Sequence, residues 1–155
     1  MFTYISKSEK DTKNFAKLIA EKLNSKDIIV LTGELGSGKT KFVEGILSYF
    51  NLDDEISSPT FTIVNEHYTK KLNLYHFDVY RLEDIDEFYE MGGEEYFDKG
   101  ACIIEWGEII QQSLPMPYIH IIFNKNEENE NLRTLNIEII GSSKKWSDFF
   151  ENTCH

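Results

Sequence analysis

From Gly33 to Thr40 the chain reads Gly-Glu-Leu-Gly-Ser-Gly-Lys-Thr, which fits G-x-x-x-x-G-K-[ST] without a mismatch. Residues of these types at this spacing do phosphate chemistry. Glycines let a short loop curl until successive N–H groups point inward at phosphate oxygens. A helix opening near Gly38 adds its unsatisfied N–H groups and the positive end of its dipole. In such a P-loop, Gly33, Glu34, Leu35, Gly36, Ser37 and Gly38 form the cradle. Lys39 reaches the β- and γ-phosphates as a point charge, and the Thr40 hydroxyl ligates Mg²⁺. A glycine-rich surface turn could carry the same letters, so the flanks decide. Asp27–Leu31 is a short, apolar, β-branched run that reads as a buried strand. From Lys41 to Phe50, the side chains of Phe42, Ile46, Leu47 and Phe50 fall on one helical stripe. Strand, glycine loop, helix is the order that a phosphate site needs.

Three later segments carry further candidate groups. Ser58-Pro59-Thr60-Phe61-Thr62 follows a polar connector, and Pro59 favours an extended approach. Beside a P-loop, such a segment can bring Thr60 or Thr62 towards Mg²⁺ and the γ-phosphate; the bland reading is a proline turn entering a strand. In the apolar run Leu72–Tyr80, alternation puts Leu72, Leu74, His76, Asp78 and Tyr80 on one face. Asp78 is then either a satisfied edge carboxylate or a group that positions water or metal. Ala101-Cys102-Ile103-Ile104-Glu105 is an apolar strand ending on an acid, followed by Trp106. A strand-end glutamate facing water would look the same. The metal reading is preferred because nothing else in the chain fits the slot of a second acid near Mg²⁺.

The elements that must position these groups follow from periodicity. Residues 2–6 suit an edge strand. Lys7–Asn24 suits a helix with Ser8 as N-cap, Asp11 three residues on, and Phe15, Leu18, Ile19 and Leu23 as its apolar face. Phe61–His67 and Leu72–Tyr80 suit a hairpin around Thr69-Lys70-Lys71. Glu83–Asp98 has eight carboxylates and no Lys or Arg, with a Gly92-Gly93 break between two helical pieces. Its interleaved aromatics leave a solvated face and a protein-docking surface both open. Tyr118–Phe123 and Leu132–Ile140 suit a terminal hairpin, and Trp146–Phe150 a last short helix.

At 155 residues the simplest organisation is one α/β domain spanning 1–155, with a possible flexible tail at 151–155. No apolar run approaches the roughly 20 residues that span a bilayer. The start, Met1 to Lys7, lacks a basic and apolar leader pattern, so a cytoplasmic protein is expected. Cys102 and Cys154 are expected to be reduced and structural. The net charge of −11 argues against a direct, sequence-independent grip on nucleic acid, so any role on RNA is expected to run through a partner.

Several of these segments together resemble the TsaE (YjeE) family of small P-loop ATPases. They are Gly33 to Thr40, Ser58-Pro59-Thr60-Phe61-Thr62, His76-Phe77-Asp78-Val79-Tyr80-Arg81-Leu82, Glu87 through Phe97, and Ile104-Glu105-Trp106. They fall in the family's order from about residue 28 to 108. The resemblance implies a single-domain P-loop NTPase fold, with a central, mostly parallel sheet, antiparallel strands and flanking helices. It also implies binding of ATP or ADP with Mg²⁺ and slow hydrolysis in a complex with TsaB and TsaD, serving tRNA threonylcarbamoyladenosine formation beside the anticodon. By the same analogy, Lys39 and Thr40 hold phosphate and Mg²⁺, Glu105 assists the metal, and Asp78 serves hydrolysis. Thr60 sits in a switch-like segment, and Arg133 and Glu9 to Thr12 lie near the adenine. The chain departs at Lys41, where the family usually repeats Thr, at Gly107 in place of Pro, and at Gly93 in place of an apolar residue.

Three rival classes remain at this level. A small-molecule kinase would need several guanidinium groups around the transferred phosphoryl group, and the chain has only Arg81 and Arg133. A GTPase would need a guanine reader; Asn124-Lys125-Asn126-Glu127 only approaches one and ends on Glu. A non-hydrolysing module could use nucleotide as a clamp that stabilises the fold.

Overall fold

The computed structural model describes residues 1–55 and 63–154. Its frame is one seven-stranded sheet in the order β1-β7-β6-β2-β5-β4-β3. The strands are β1 (Phe2–Ser6), β2 (Ile28–Gly33), β3 (Val64–Tyr68), β4 (Asn73–Asp78), β5 (Ala101–Glu105), β6 (Tyr118–Lys125) and β7 (Arg133–Ile140). The four central strands β6, β2, β5 and β4 run parallel. Antiparallel β7 and β1 extend one side, and β3 extends the other. The helices are α1 (Glu9–Lys22), α2 (Lys39–Tyr49), α3 (Ile85–Glu90) and α4 (Lys144–Thr153). This is the expected mostly parallel α/β sheet with antiparallel margins.

Alternation along the strands divides the core in two. Ile29, Leu31, Leu74, Ile103, Ile119, Ile121, Leu135 and Ile137 meet α1, α2 and α4 on one face. Val30, Tyr75, Phe77, Cys102 and Ile104 meet Phe88, Phe97 and Ile110 on the other. The parallel strands are buried on both faces, which is why their sequences run apolar without a polar period.

Local rules set the helix boundaries. Ser8 Oγ accepts from the Asp11 N–H at 3.0 Å, and the Asp11 carboxylate accepts from the Lys7 N–H at 3.0 Å, one residue before the expected partner of a capping box. The apolar face of α1 differs from the sequence expectation. Leu18 is 47% exposed, while Thr12, Ala16 and Ala20 are buried. Close approach of α2 explains this: a Cβ on Gly45 would lie 2.5 Å from the Lys13 carbonyl oxygen and 2.7 Å from Ala16 Cβ. Only small residues fit that crossing. β4 ends at Asp78 rather than Tyr80, because the Asp78 carboxylate accepts its neighbour's N–H, from Tyr80 at 3.2 Å. Residues 61–62 of the expected first hairpin strand lie outside the described residues. At the other end, the expected flexible tail is helix to Thr153, with Cys154 buried behind it.

Two of the departures have packing reasons. A Cβ on Gly93 would stand 2.3 Å from the Phe88 ring, and one on Gly107 would stand 2.6 Å from Val30 Cγ1. An apolar side chain or a proline would collide at either place.

Gly45→Val should lower unfolding stability by about 1–3 kcal/mol through overpacking, read by urea denaturation. Burial pushes the Cys102 thiol up to about 12 from its ordinary value. Through this group stability is at its full value below the unfolded thiol's pKa and falls as pH rises from there towards about 12. In a thiol-labelling assay at pH 9, Cys102 should react only at the rate of unfolding.

Candidate functional site

The glycine loop lies where β2 hands over to α2, at the carboxyl end of the parallel strands. Three of its glycines take left-handed or otherwise positive φ: Gly33 at 141°, Gly36 at 77° and Gly38 at 113°. Gly33 must also lack a side chain, since a Cβ there would lie 2.5 Å from the Phe123 carbonyl oxygen. Gly38 is the N-cap of α2 and offers no side chain to its free N–H groups. The Ser37 hydroxyl is buried with no hydrogen-bond partner among the described residues. A buried unsatisfied hydroxyl costs free energy until a partner arrives.

Lys39 is 5% exposed. Its ammonium folds back on the loop, donating to the Gly33 carbonyl and to that of Glu34 at 3.1 Å. The ammonium also lies 4.0 Å from the centre of the Trp106 ring, a cation–π distance. Trp106 holds that pose from a left-handed backbone (φ 64°, ψ 39°), with its N–H bonded to the Leu31 carbonyl at 2.9 Å and its ring beside Tyr80. Desolvation lowers the Lys39 pKa, opposed by the nearby Glu105, Glu108 and Asp78 charges, while Lys125 adds to the lowering.

The two acids come from adjacent strand ends. Asp78 of β4 and Glu105 of β5 are direct register partners, and Glu105 is only 9% exposed. A glutamate facing water is therefore not what stands there. His76, two residues before Asp78 on the same face, contacts Glu105 Oε2 through Nε2 at 2.6 Å. Sequence alternation put His76 beside Asp78 but gave no sign of this partner, because the pairing crosses between strands.

One cavity of about 480 Å³ gathers these groups. Leu35, Gly36, Gly38, Lys39, Thr40, Lys41, Asp78, Glu105, Arg133 and Thr12 line it, together with His76 and Trp106. Gly33 and Glu34 contribute carbonyls to Lys39 rather than lining. Thr60 lies outside the described residues. Asn65, Glu55, His67, Glu130 and Asn131 also line the cavity and were not singled out by motif. His67 is buried and contacts Glu55 through Nδ1 at 2.7 Å. Arg133 reaches the loop itself, donating through Nη2 to the Gly36 carbonyl at 3.3 Å. Lys41, the departure from the family pattern, pairs with Glu44 at 3.3 Å and Glu9 at 3.9 Å, so its added charge is locally balanced.

The donor set fits a phosphate chain and a hard cation. Among the described residues no group of three or more His, Cys, Asp and Glu is poised to hold a metal alone.

Loop, helix and sheet define a single-domain α/β protein with the P-loop NTPase fold. The crystal structure of Bacillus subtilis YdiB superimposes with a TM-score of 0.70, covering 97% of this chain and 88% of that one at 28% identity. The family model described as "Threonylcarbamoyl adenosine biosynthesis protein TsaE" matches residues 6–135. Curated relatives are named tRNA threonylcarbamoyladenosine biosynthesis protein TsaE. The one from Rickettsia prowazekii is 41% identical over 84% of this chain and 92% of its own length. The one from Bacillus subtilis is 39% identical over 77% and 75%. The chain belongs to the TsaE family of tRNA threonylcarbamoyladenosine biosynthesis. Among the described residues no helix is long and apolar enough to cross a membrane.

Removing the partner of a nearly buried carboxylate leaves it unsatisfied. His76→Ala should therefore cost about 1–3 kcal/mol of unfolding stability, whereas the exposed control Lys70→Ala should stay within about 0.5 kcal/mol. Urea melts of the two variants test this.

Proposed function

We propose that this chain binds ATP with Mg²⁺ and hydrolyses it slowly to ADP and phosphate, supporting tRNA N6-threonylcarbamoyladenosine modification in a complex with TsaB and TsaD. The observation that carries the reading is the convergence, in one cavity, of the glycine loop, Lys39, Thr40, Asp78 and Glu105. In this reading the loop amides of Gly33 to Thr40 bind the phosphates, and Lys39 leaves its parking place on the loop carbonyls for the β- and γ-oxygens. Thr40 and Glu105 hold Mg²⁺, whose contribution is charge neutralisation on the phosphoryl oxygens. Asp78 orients the attacking water, and His76 fixes the Glu105 carboxylate. Thr60 takes its switch-like role from the resemblance to the family alone. Lys41 sits at the α-phosphate side, and Thr12 and Arg133 mark the end of the cavity where the base lies.

The site of action in this reading is cytoplasmic, and contact with tRNA only through partners accords with the charge of −11. Of the two arginines, only Arg133 lines the cavity. The kinase alternative would need more cationic groups than that, and hydrolysis assisted by a partner needs fewer. A group supplied in trans is worth about 10³–10⁵ in rate where it has been removed from related chemistry. The isolated chain should accordingly turn over slowly and accelerate by about ten-fold or more when TsaB and TsaD are added. Full-rate hydrolysis without partners would overturn that part.

Asp78→Asn should keep ATP affinity within about three-fold by calorimetry, while hydrolysis falls by about 100-fold or more. Lys39→Ala should lose binding itself. If Asp78→Asn hydrolyses ATP at the parent rate, another group orients the water; no hydrolysis by the parent chain, alone or with TsaB and TsaD, would favour the non-hydrolysing clamp.

A further inference from the structure

One wall of the cavity is formed where α1 packs against α2. Thr12 lines it from α1 and is 2% exposed. Behind Thr12, and outside the lining, is Ser6 at the end of β1, fully buried. The Ser6 and Thr12 hydroxyl oxygens stand 2.6 Å apart, and Ser6 Oγ lies 2.9 Å from the Ser8 carbonyl oxygen.

Each hydroxyl has a single proton to give. A carbonyl oxygen cannot donate, so the Ser6 proton goes to Ser8. The short Ser6–Thr12 contact then needs the proton of Thr12. This is the one arrangement in which both contacts carry a proton. Thr12 consequently has none left for a ligand and can offer only an oxygen lone pair.

From this we infer that Ser6 is a specificity-determining positioning residue. By fixing the Thr12 hydroxyl as an acceptor, it selects a base bearing an amino group at C6 over one bearing a carbonyl. The inference rests on the nucleotide-binding reading above and deepens it. The direction of the ligand follows that reading: the terminal phosphate belongs beside Asp78 and Glu105, and the base beside Thr12. The Lys41–Glu9 pair at 3.9 Å brings the start of α1 up to the start of α2. A 6-amino group donates to Thr12. A 6-carbonyl meets it lone pair to lone pair, and rotation of the hydroxyl cannot relieve this without breaking the bond to Ser6. Glu9, whose carboxylate is likewise an acceptor, adds to the same preference.

The test is isothermal calorimetry on the full chain with the Mg²⁺ complexes of three triphosphates: ATP, inosine triphosphate with a carbonyl at C6, and purine riboside triphosphate with hydrogen at C6. The parent protein should bind ATP about ten-fold more tightly than inosine triphosphate, with purine riboside triphosphate between them. Ser6→Ala returns the Thr12 proton, so inosine triphosphate should gain and the ratio should fall to about one to three. Ser6→Thr, which keeps a hydroxyl, should keep the preference. Equal binding of ATP and inosine triphosphate by the parent protein would overturn the inference while leaving nucleotide binding intact. An unchanged ratio in folded Ser6→Ala would overturn it too. Failure of all three to bind would overturn the function proposed above, and this inference with it. The comparison on the parent chain stands even if a variant does not fold.

Discussion

Confinement of one ammonium governs this structure. Lys39 is nearly removed from water, and a buried cation must find acceptors or lose its proton. The chain supplies two backbone carbonyls from its own loop and the face of Trp106. Each of these depends on something further off. The carbonyls face Lys39 because Gly33, Gly36 and Gly38 adopt positive φ. The indole lies over it because Trp106 leaves β5 in a left-handed turn. Behind both is β2, with a parallel neighbour on each side, so that its carboxyl end opens beside that of β5.

The arrangement is poised rather than finished. The Ser37 hydroxyl is buried without a partner, and the Lys39 pKa is pulled down by desolvation although three carboxylates oppose it. An anion entering the loop would answer both costs at once. Functional sites commonly concentrate such unsatisfied groups, because the ligand rather than the fold completes them.

The margins of the sheet serve the site in different ways. The β6–β7 hairpin carries Phe123 beneath Gly33 and Arg133 against Gly36, so a terminal element braces the loop from outside the P-loop unit. The β3–β4 hairpin delivers Asp78 into register with Glu105 and sets His76 diagonally against the same acid. β1, at the far edge, reaches the cavity through Ser6 and the hydroxyl of Thr12.

Much of this was legible in the sequence because it depends on local chemistry. The glycine spacing, the apolar strand before it and the stripe after it fixed the strand–loop–helix unit, and alternation alone set His76 and Asp78 on a common face. What the sequence could not determine were relations between distant segments. Leu18 suits an apolar stripe as well as Ala16 does, until the approach of Gly45 demands small residues. Glu105 could have been a solvated strand end, until the register of β4 and β5 placed His76 against it. Ser6, Thr12 and Ser8 are unremarkable hydroxyl residues in any window. The direction of their protons follows only once β1 has packed beside α1. Periodicity and turn chemistry are encoded within a few residues, whereas hydrogen-bond polarity and side-chain room depend on which elements meet, and that is settled by the tertiary fold.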